Sequence, residues 1–321
     1  MFNYMVLMQK LYSRLGGTSR PDRTNTGTAS IFDHTLEYDL RQNFPLLPYR
    51  EINFKDVVVE LLWFLRGETN IKFLEDNGCK WWSEQCDEVG EVGPMYGAQW
   101  RGYMHDKGFR TPDQFRDVID SLRNDPFGRR HVIDSWRPES MPGNNCTYHD
   151  NVTTGRMAIA PCHQQMQFYV EDINGVRHVS VKFIMRSSDT FLGLPANIAS
   201  YGLLLHIVAG LTGYKPYREI WSGGDVHLYS NHEVACGKLI DQWTAMVKAK
   251  FDADKTPIHD RYRGWESKSE AMCPTYVLPQ GFHDLVDRDL LDFKAEGLVD
   301  LLTSGLCNYH PGPVIKARMA R

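Results

Sequence analysis

A cysteine at the start of an apolar strand is the strongest chemical feature of the sequence. Cys162 stands in the tetrad Ala160-Pro161-Cys162-His163, and the residues after it alternate apolar and polar side chains. A cysteine is a competent nucleophile when its thiolate is favoured, and neighbouring arginines favour it electrostatically. Taken alone, a cysteine is more often a small core residue. A cysteine–histidine hydrolase is disfavoured, because adjacent strand residues point to opposite faces and His163 is poorly placed to serve Cys162 as its base.

Arginines near this cysteine in the sequence indicate an anionic substrate. Arg129 and Arg130 lie upstream, Arg186 ends the strand pair that Cys162 opens, and Arg23 lies in a turn-forming stretch. Each guanidinium offers paired donors to a phosphate, whereas a net charge of -4 gives no support for a general polyanion-binding surface. Alone, Arg23 would be a solvated loop residue. Four arginines converging on one buried site predict a nucleotide monophosphate.

Two polar residues in apolar surroundings are further candidates. Glu60 lies in a helix predicted over residues 56–65, where burial would raise its pKa and let it relay protons. A carboxylate that reaches solvent along the helix surface is an equal alternative. Asn197 lies in an apolar segment, and its amide can match the N3–H and O4 of a uracil ring. The alternative for Asn197 is a helix N-cap.

The hydrophobic pattern predicts a single α+β domain over residues 1–321. Helices are predicted over 56–65, 113–122 and 198–211, and Arg129-Arg130 are predicted to open a strand. Alternating runs at 166–170 and 179–185 around Asn174-Gly175 predict a hairpin. The polar stretches 138–156 and 252–273 lack sustained periodicity and are interpreted as surface loops or insertions.

Composition limits the class of protein. The chain has 321 residues, 42% of them hydrophobic and 24% charged, as in ordinary globular proteins. The seven cysteines are scattered without a CxxC pair, which argues against a disulfide framework or a zinc site and favours a reducing cytoplasm. The N-terminal segment lacks the pattern of a signal peptide. Residues 190–214 are long enough to span a membrane, but Pro195 and several glycines favour a buried helix.

Motifs in a fixed order point to one protein family. They are Asp22-Arg23-Thr24, Glu60-Leu61-Leu62-Trp63-Phe64-Leu65, Gly93-Pro94-Met95-Tyr96-Gly97, Ala160-Pro161-Cys162-His163, Arg186-Ser187-Ser188-Asp189, Leu194-Pro195-Ala196-Asn197-Ile198-Ala199-Ser200-Tyr201, Asp225-Val226-His227-Leu228-Tyr229-Ser230-Asn231-His232 and His310-Pro311. This set resembles the thymidylate synthase family over nearly the whole chain. The resemblance implies a thymidylate-synthase-like fold, with a large twisted mixed β-sheet and packed helices, that forms a sheet-to-sheet homodimer.

The resemblance also implies roles for individual residues. Cys162 would attack C6 of dUMP, and the one-carbon unit would come from 5,10-methylenetetrahydrofolate as cosubstrate, without a metal, a membrane or a nucleic acid. The implied catalytic residues are Cys162, Glu60, Tyr96, His163 and Asn197; those for dUMP are Arg23, Arg186, Ser187, Asn197, His227 and Tyr229, with Arg129 and Arg130 reaching across from the partner subunit; those for folate are Trp82, Asp189, Gly193 and Arg50. Cytosine-acting relatives carry aspartate in place of Asn197, so a uracil nucleotide is expected.

The family contains enzymes with two different products. Hydride transfer from the folate gives thymidylate and dihydrofolate, whereas water addition gives 5-hydroxymethyl-dUMP and tetrahydrofolate. The chain departs from the synthase pattern at Gln164-Gln165, Met185, Ser83 and Arg321. A polar site floor at Gln164-Gln165 and an altered chain end at Arg321 would admit water, so the sequence favours a deoxyuridylate hydroxymethylase. The alternatives are a thymidylate synthase and a non-catalytic nucleotide- or RNA-binding scaffold.

Overall fold

The part of the chain that the computed structural model describes contains both helices and strands. These residues are 1–17, 26–104, 108, 110–253 and 258–320, with the backbone alone for 258–263. The helices are α1 (Phe2–Tyr12), α2 (Phe54–Leu65), α3 (Lys72–Asp76), α4 (Tyr96–Arg101), α5 (Gln114–Asn124), α6 (Tyr148–Thr153), α7 (Gly193–Thr212), α8 (Glu233–Ala253), α9 (Ile258–Glu270), α10 (Phe282–Leu285) and α11 (Leu298–Ser304). The strands are β1 (Thr28–Asp39), β2 (Val132–Asp134), β3 (His163–Ile173), β4 (Val176–Asp189), β5 (Lys215–Tyr229), β6 (Thr275–Tyr276) and β7 (Leu306–Cys307).

A five-stranded mixed sheet carries the site. Its strand order is β1-β5-β4-β3-β2, and β6 pairs with β7 in a separate two-stranded sheet. The β4–β5 pair is parallel, whereas the other neighbours in the large sheet are antiparallel. Helix α7 makes the crossover between the two parallel strands, as parallel pairing requires. The carboxyl ends of β4 and β5 therefore lie at the same edge of the sheet.

The predicted hairpin is present and includes a bulge. β3 and β4 are joined through Asn174 and Gly175, whose φ angles of 55° and 79° are the left-handed values that a tight hairpin turn needs. The pairing runs from Ile173 opposite Val176 back to His163 opposite Met185, with a register shift between His163 and Gln165. One extra residue therefore enters β3 directly after His163.

Helices α7 and α2 form the buried layers on one side of the sheet. α7 packs on β4 and β5, and α2 packs on α7. α2 is apolar around most of its circumference, and its N-cap Asn53 accepts a hydrogen bond from the amide of Lys55. α7 is long and apolar enough to cross a membrane by length and composition, but 89% of its most apolar window is buried within the protein. The sequence expectation of a core helix fits this packing.

Several predicted boundaries differ from the structure. The 113–122 helix is α5, with Asp113 as its N-cap, whereas β2 begins at Val132 and not at Arg129. Residues 252–273, interpreted from sequence as a surface loop or insertion, are largely helical because they contain α9. Residues 138–156 contain α6, which begins with a capping box between Thr147 and Asp150. Neither helix was predicted from the sequence, because both segments are polar and lack a sustained apolar periodicity.

Candidate active site

Cys162 lies directly before β3 and is half-buried among groups from other segments. Its backbone amide donates to Tyr96 Oη at 2.8 Å. Its carbonyl accepts from the amide of Arg186 at 2.9 Å, which fixes the two strand ends side by side. Arg186 Nη2 lies 4.0 Å from Cys162 Sγ. A guanidinium in this position stabilises a thiolate.

The protein backbone holds the Arg186 guanidinium in place. Its Nε donates to the carbonyl of Pro161, and its Nη2 donates to the carbonyl of Ala160, both at 2.8 Å. The guanidinium carbon also lies 5.8 Å from the ring centre of Trp136. The positive charge is therefore fixed beside the sulfur before any ligand binds.

Glu60 projects from α2 into a buried position and has one well-defined partner. Its side chain is buried, and Trp82 Nε1 donates to its Oε1 at 2.7 Å. Burial raises the pKa of Glu60 to about 7, while the Trp82 hydrogen bond works in the opposite direction and Asp56 adds a smaller upward effect. The carboxyl can therefore gain or lose a proton near neutral pH.

Tyr96, His163 and Tyr201 form an aromatic group next to Cys162. The rings of Tyr96 and His163 have centroids 4.9 Å apart, and His163 Nδ1 lies 3.3 Å from Tyr201 Oη. Burial lowers the pKa of His163 to about 4, so the imidazole is neutral at pH 7. Burial likewise raises the pKa of Tyr96 well above its usual value, which keeps the phenol protonated.

The Glu60–Trp82 pair and the aromatic residues around Cys162 form one cluster. The ring of Trp82 lies 5.9 Å from that of Tyr96, so the contacts run from Glu60 through Trp82 and Tyr96 to the backbone of Cys162. The structure thus brings together the predicted nucleophile, the predicted proton relay and the two predicted aromatic partners.

The end of β4 and the start of α7 place Asp189, Gly193 and Asn197 near one another. Asp189 Oδ1 accepts from the amides of Phe191 and Leu192 at 2.9 and 3.2 Å. A Cβ atom on Gly193 would lie 3.5 Å from Asn197 Oδ1, so this glycine and amide are adjacent. Among the described residues, the Asn197 side chain makes no hydrogen bond to another protein group and is half-buried. Its amide has donors and an acceptor available for a base.

The parallel pairing aligns the predicted sugar and phosphate residues. Ser187 is opposite Asp225 and Asp189 is opposite His227 across β4 and β5. The His227 and Tyr229 rings meet edge to face at 4.9 Å. These residues thus lie along the sheet edge that follows Arg186.

The remaining predicted arginines have different surroundings. Arg129 and Arg130 are exposed, directly before the edge strand β2. Arg50, expected at the folate, is buried; it donates to the carbonyl of Phe191 and stacks on its ring, and burial lowers the pKa of its guanidinium. Arg23 lies outside the described residues, so its phosphate role stays a prediction.

Comparison with known proteins gives the affiliation of the chain. A family profile described as Thymidylate synthase matches residues 2–260. The chain belongs to this family. It is also 43% identical over 221 residues to a protein named thymidylate synthase from Francisella philomiragia subsp. philomiragia, a match that covers 69% of this chain and 78% of the relative. The fold fits this membership, with a large mixed sheet and packed helices.

The structure corrects the polar floor expected at Gln164-Gln165. Gln165 is opposite Ile184, whereas His163 and Met166 are opposite Met185 and Phe183. Phe183 stacks on Tyr201 of α7 at 3.7 Å, so the buried face is that of His163, and Gln165 lies on the other face. Gln164 is the extra residue of the bulge. The bulge breaks the alternation on which the sequence interpretation depended.

Of two other departures from the family pattern, Met185 is buried and Ser83 is exposed. Met185 is 3% exposed and lies opposite His163, so an apolar side chain borders the imidazole. Ser83 donates to Glu75 Oε1 at 3.0 Å, on the exposed side of its loop. Arg321 lies outside the described residues.

Sequence reasoning missed Tyr201 as a partner of the site. Its hydroxyl reaches His163, and its ring stacks on Phe183. Tyr201 follows Asn197 by four residues on α7, so it shares that face of the helix. The four-residue spacing between Asn197 and Tyr201 is the sequence feature that could have identified Tyr201.

In the part of the chain that the structure describes, one group of side chains has the spacing that could hold a metal ion. One ligand atom each from Asp87, Glu88 and His149 lies within 4.8 Å of the others. His149 Nδ1 is 3.0 Å from Glu88 Oε2, a contact that joins the 138–156 segment to the loop before Tyr96.

Proposed function

We propose that this protein is a thymidylate synthase, which converts dUMP to thymidylate with 5,10-methylenetetrahydrofolate as one-carbon donor and reductant. The observation that carries the proposal is the cluster in which a fixed guanidinium lies 4.0 Å from Cys162 Sγ, linked through Tyr96 and Trp82 to Glu60. The name of the relative from Francisella philomiragia supports the same activity.

Cys162 would start the reaction by adding its sulfur to C6 of the uracil ring. The thiolate electron pair forms the S–C6 bond, and the C5=C6 pair moves to C5, which becomes nucleophilic toward the one-carbon unit. Arg186 stabilises the thiolate before addition and shares the phosphate with Ser187. Asn197 orients the ring through its free amide. Arg129 and Arg130 would complete the phosphate site from the partner subunit of a homodimer.

Glu60, His163 and Tyr96 would then take part in proton transfer at C5 and O4 of the uracil ring. The carboxyl of Glu60, with its pKa raised to about 7 by burial, can pass a proton to and from the uracil carbonyl through ordered water. The neutral imidazole of His163 and the phenol of Tyr96, whose rings are 4.9 Å apart, would assist the departure of the C5 proton. C5 forms a bond to the one-carbon unit, and loss of the C5 proton then breaks the bond between that carbon and the folate nitrogen, which expels tetrahydrofolate and leaves an exocyclic methylene on the ring.

The final step distinguishes the two products of the family. Hydride transfer to the methylene, followed by release of Cys162 from C6, gives thymidylate and dihydrofolate. The hydroxymethyl product needs a water at the same carbon. Met185 gives an apolar surface beside His163, Gln165 lies on the opposite sheet face, and Ser83 is bonded to Glu75. These positions therefore support hydride transfer over the hydroxymethylation that the sequence favoured.

A product analysis tests the proposal. Purified protein is incubated with dUMP and methylenetetrahydrofolate, and both the nucleotide mass and the folate product are measured. Thymidylate with an equal amount of dihydrofolate is expected. 5-Hydroxymethyl-dUMP with tetrahydrofolate would refute the synthase and establish the hydroxymethylase.

A second measurement separates an enzyme from a non-catalytic scaffold. 5-Fluoro-dUMP blocks loss of the C5 substituent, so the protein, this nucleotide and methylenetetrahydrofolate should form a covalent complex on Cys162. A mass increase equal to both ligands is expected in the wild type and not in Cys162→Ser. Reversible nucleotide binding without an adduct in the wild type would favour the scaffold.

A further inference from the structure

A second carboxylate shares the face of α2 from which Glu60 projects. Asp56 precedes Glu60 by four residues, a spacing that places their Cβ atoms about 5–6 Å apart on one side of the helix. Helical side chains lean toward the N-terminus of their helix, so the Glu60 side chain leans toward Asp56. The charge of Asp56 also raises the pKa of Glu60, so the two groups lie within electrostatic reach of each other.

The two carboxyls differ in their access to water. Glu60 is 7% exposed, whereas Asp56 is half-buried in the first turn of α2. A helix N-terminus favours a negative charge, and the Asn53 side chain donates a hydrogen bond to Asp56, although burial raises the pKa of Asp56. Asp56 is therefore an ionisable group that reaches solvent one helical turn from the buried Glu60.

The other groups that interact with Glu60 are poor proton carriers. Trp82 Nε1 donates to Glu60 Oε1, and an indole N–H is a donor only. The charge of Glu60 acts on Cys79 and Tyr201, but burial raises the pKa of the Cys79 thiol to about 12 and that of the Tyr201 phenol above its usual value. Among the described titratable groups that interact with Glu60, Asp56 is therefore the one whose acidity is nearest to that of Glu60.

We propose that Asp56 is a positioning residue for the reaction, the group through which Glu60 exchanges its proton with solvent. This inference rests on the proposed function, in which Glu60 relays protons to and from the uracil ring. When Glu60 has taken up a proton, its carboxyl O–H bond breaks and the proton passes through one bridging water to an Asp56 oxygen. Asp56 then releases the proton to solvent. Both carboxyls return to their starting charge, so the relay is reset without a further reactant.

Asp56→Asn tests the proposal, because it removes the proton carrier with almost no change in side-chain volume. The rate is measured as release of tritium from 5-tritiated dUMP, since that proton leaves C5 whichever product is formed. The kcat of Asp56→Asn should fall by about tenfold, with KM unchanged for dUMP and for the folate, because Asp56 acts through Glu60 and touches neither ligand. The circular dichroism spectrum and the 5-fluoro-dUMP adduct on Cys162 should match those of the wild type.

Two readouts distinguish proton exchange from a purely structural effect. Imidazole buffer can carry protons in place of a side chain, so raising its concentration should increase the kcat of Asp56→Asn and leave the wild type unchanged. Loss of the Asp56 charge should also lower the pKa of Glu60, so the inflection in the pH–rate profile should move to lower pH. Asp56→Glu, which keeps a carboxyl, should retain most of the activity.

Asp117→Asn is the matched control, because Asp117 is an exposed aspartate in the first turn of another helix, α5. This variant should change neither kcat nor the response to imidazole. A kcat for Asp56→Asn equal to that of Asp117→Asn would overturn the inference. A lowered kcat that imidazole does not raise would overturn it as well. By contrast, a wild type that forms no adduct with 5-fluoro-dUMP would refute the proposed function itself.

Discussion

Replacing Glu60 with glutamine should reveal how much the buried carboxyl costs the fold. Burial raises its pKa from 4.5 to about 7, so the folded protein resists ionisation that the unfolded chain accepts. Stability linked to this group is complete below about pH 4.5 and falls as pH rises toward 7, after which the loss is constant. Glutamine does not titrate, and its side-chain oxygen can still accept from Trp82.

The expected change in the free energy of unfolding follows from the pKa shift of Glu60. At roughly 1.4 kcal/mol per pKa unit, the free energy of unfolding of Glu60→Gln relative to wild type should increase by about 2.5 kcal/mol between about pH 5 and pH 8. Urea denaturation, followed by tryptophan fluorescence at both pH values, measures this difference. Activity should fall by about 100-fold or more, since a proton relay is lost.

Glu51→Gln is the matched control because it removes an exposed carboxylate from the segment just before α2. Its stability relative to wild type should change little between the two pH values. If Glu60→Gln and Glu51→Gln respond alike, burial does not perturb Glu60 and the proposed relay loses its physical basis.

Three other substitutions address separate parts of the structure. Cys162→Ser should retain the circular dichroism spectrum but form no adduct with 5-fluoro-dUMP in intact-protein mass spectra; an adduct would move the nucleophile elsewhere. Trp82→Phe removes the hydrogen bond that lowers the pKa of Glu60, so the inflection near pH 7 in the pH–rate profile should move upward, and an unchanged inflection would exclude Glu60 as its source. Glu219→Met removes a fully buried carboxyl whose two oxygens have no hydrogen bond to the described protein, so thermal denaturation should show about 1–3 kcal/mol of added stability; destabilisation would indicate a bound water or partner at that carboxyl.

The sequence predicted elements whose signals are local. The apolar run of α2 and the alternation of β3 and β4 around Asn174 and Gly175 each depend on periodicity within a dozen residues. The helix α9 was missed because its residues are polar, and polarity alone does not distinguish a surface helix from a loop.

The site was harder to predict, because its contacts join distant segments. Sequence could propose Glu60 and Trp82 separately, but the hydrogen bond between them depends on how a loop packs against α2. Likewise, a single extra residue in β3 reversed the face expected for Gln165. Alternation predicts a face only where the register is regular.

The parallel pairing of β4 and β5 means that the backbone fixes the spacing of residues in the site. Ser187 and Asp189 on one strand are held at fixed steps from Asp225 and His227 on the other by main-chain hydrogen bonds. Side chains there can change while their spacing persists. A one-residue deletion in either strand would instead shift every contact beyond it to the wrong face. Tolerance to substitution and intolerance to length change are thus two results of the same pairing.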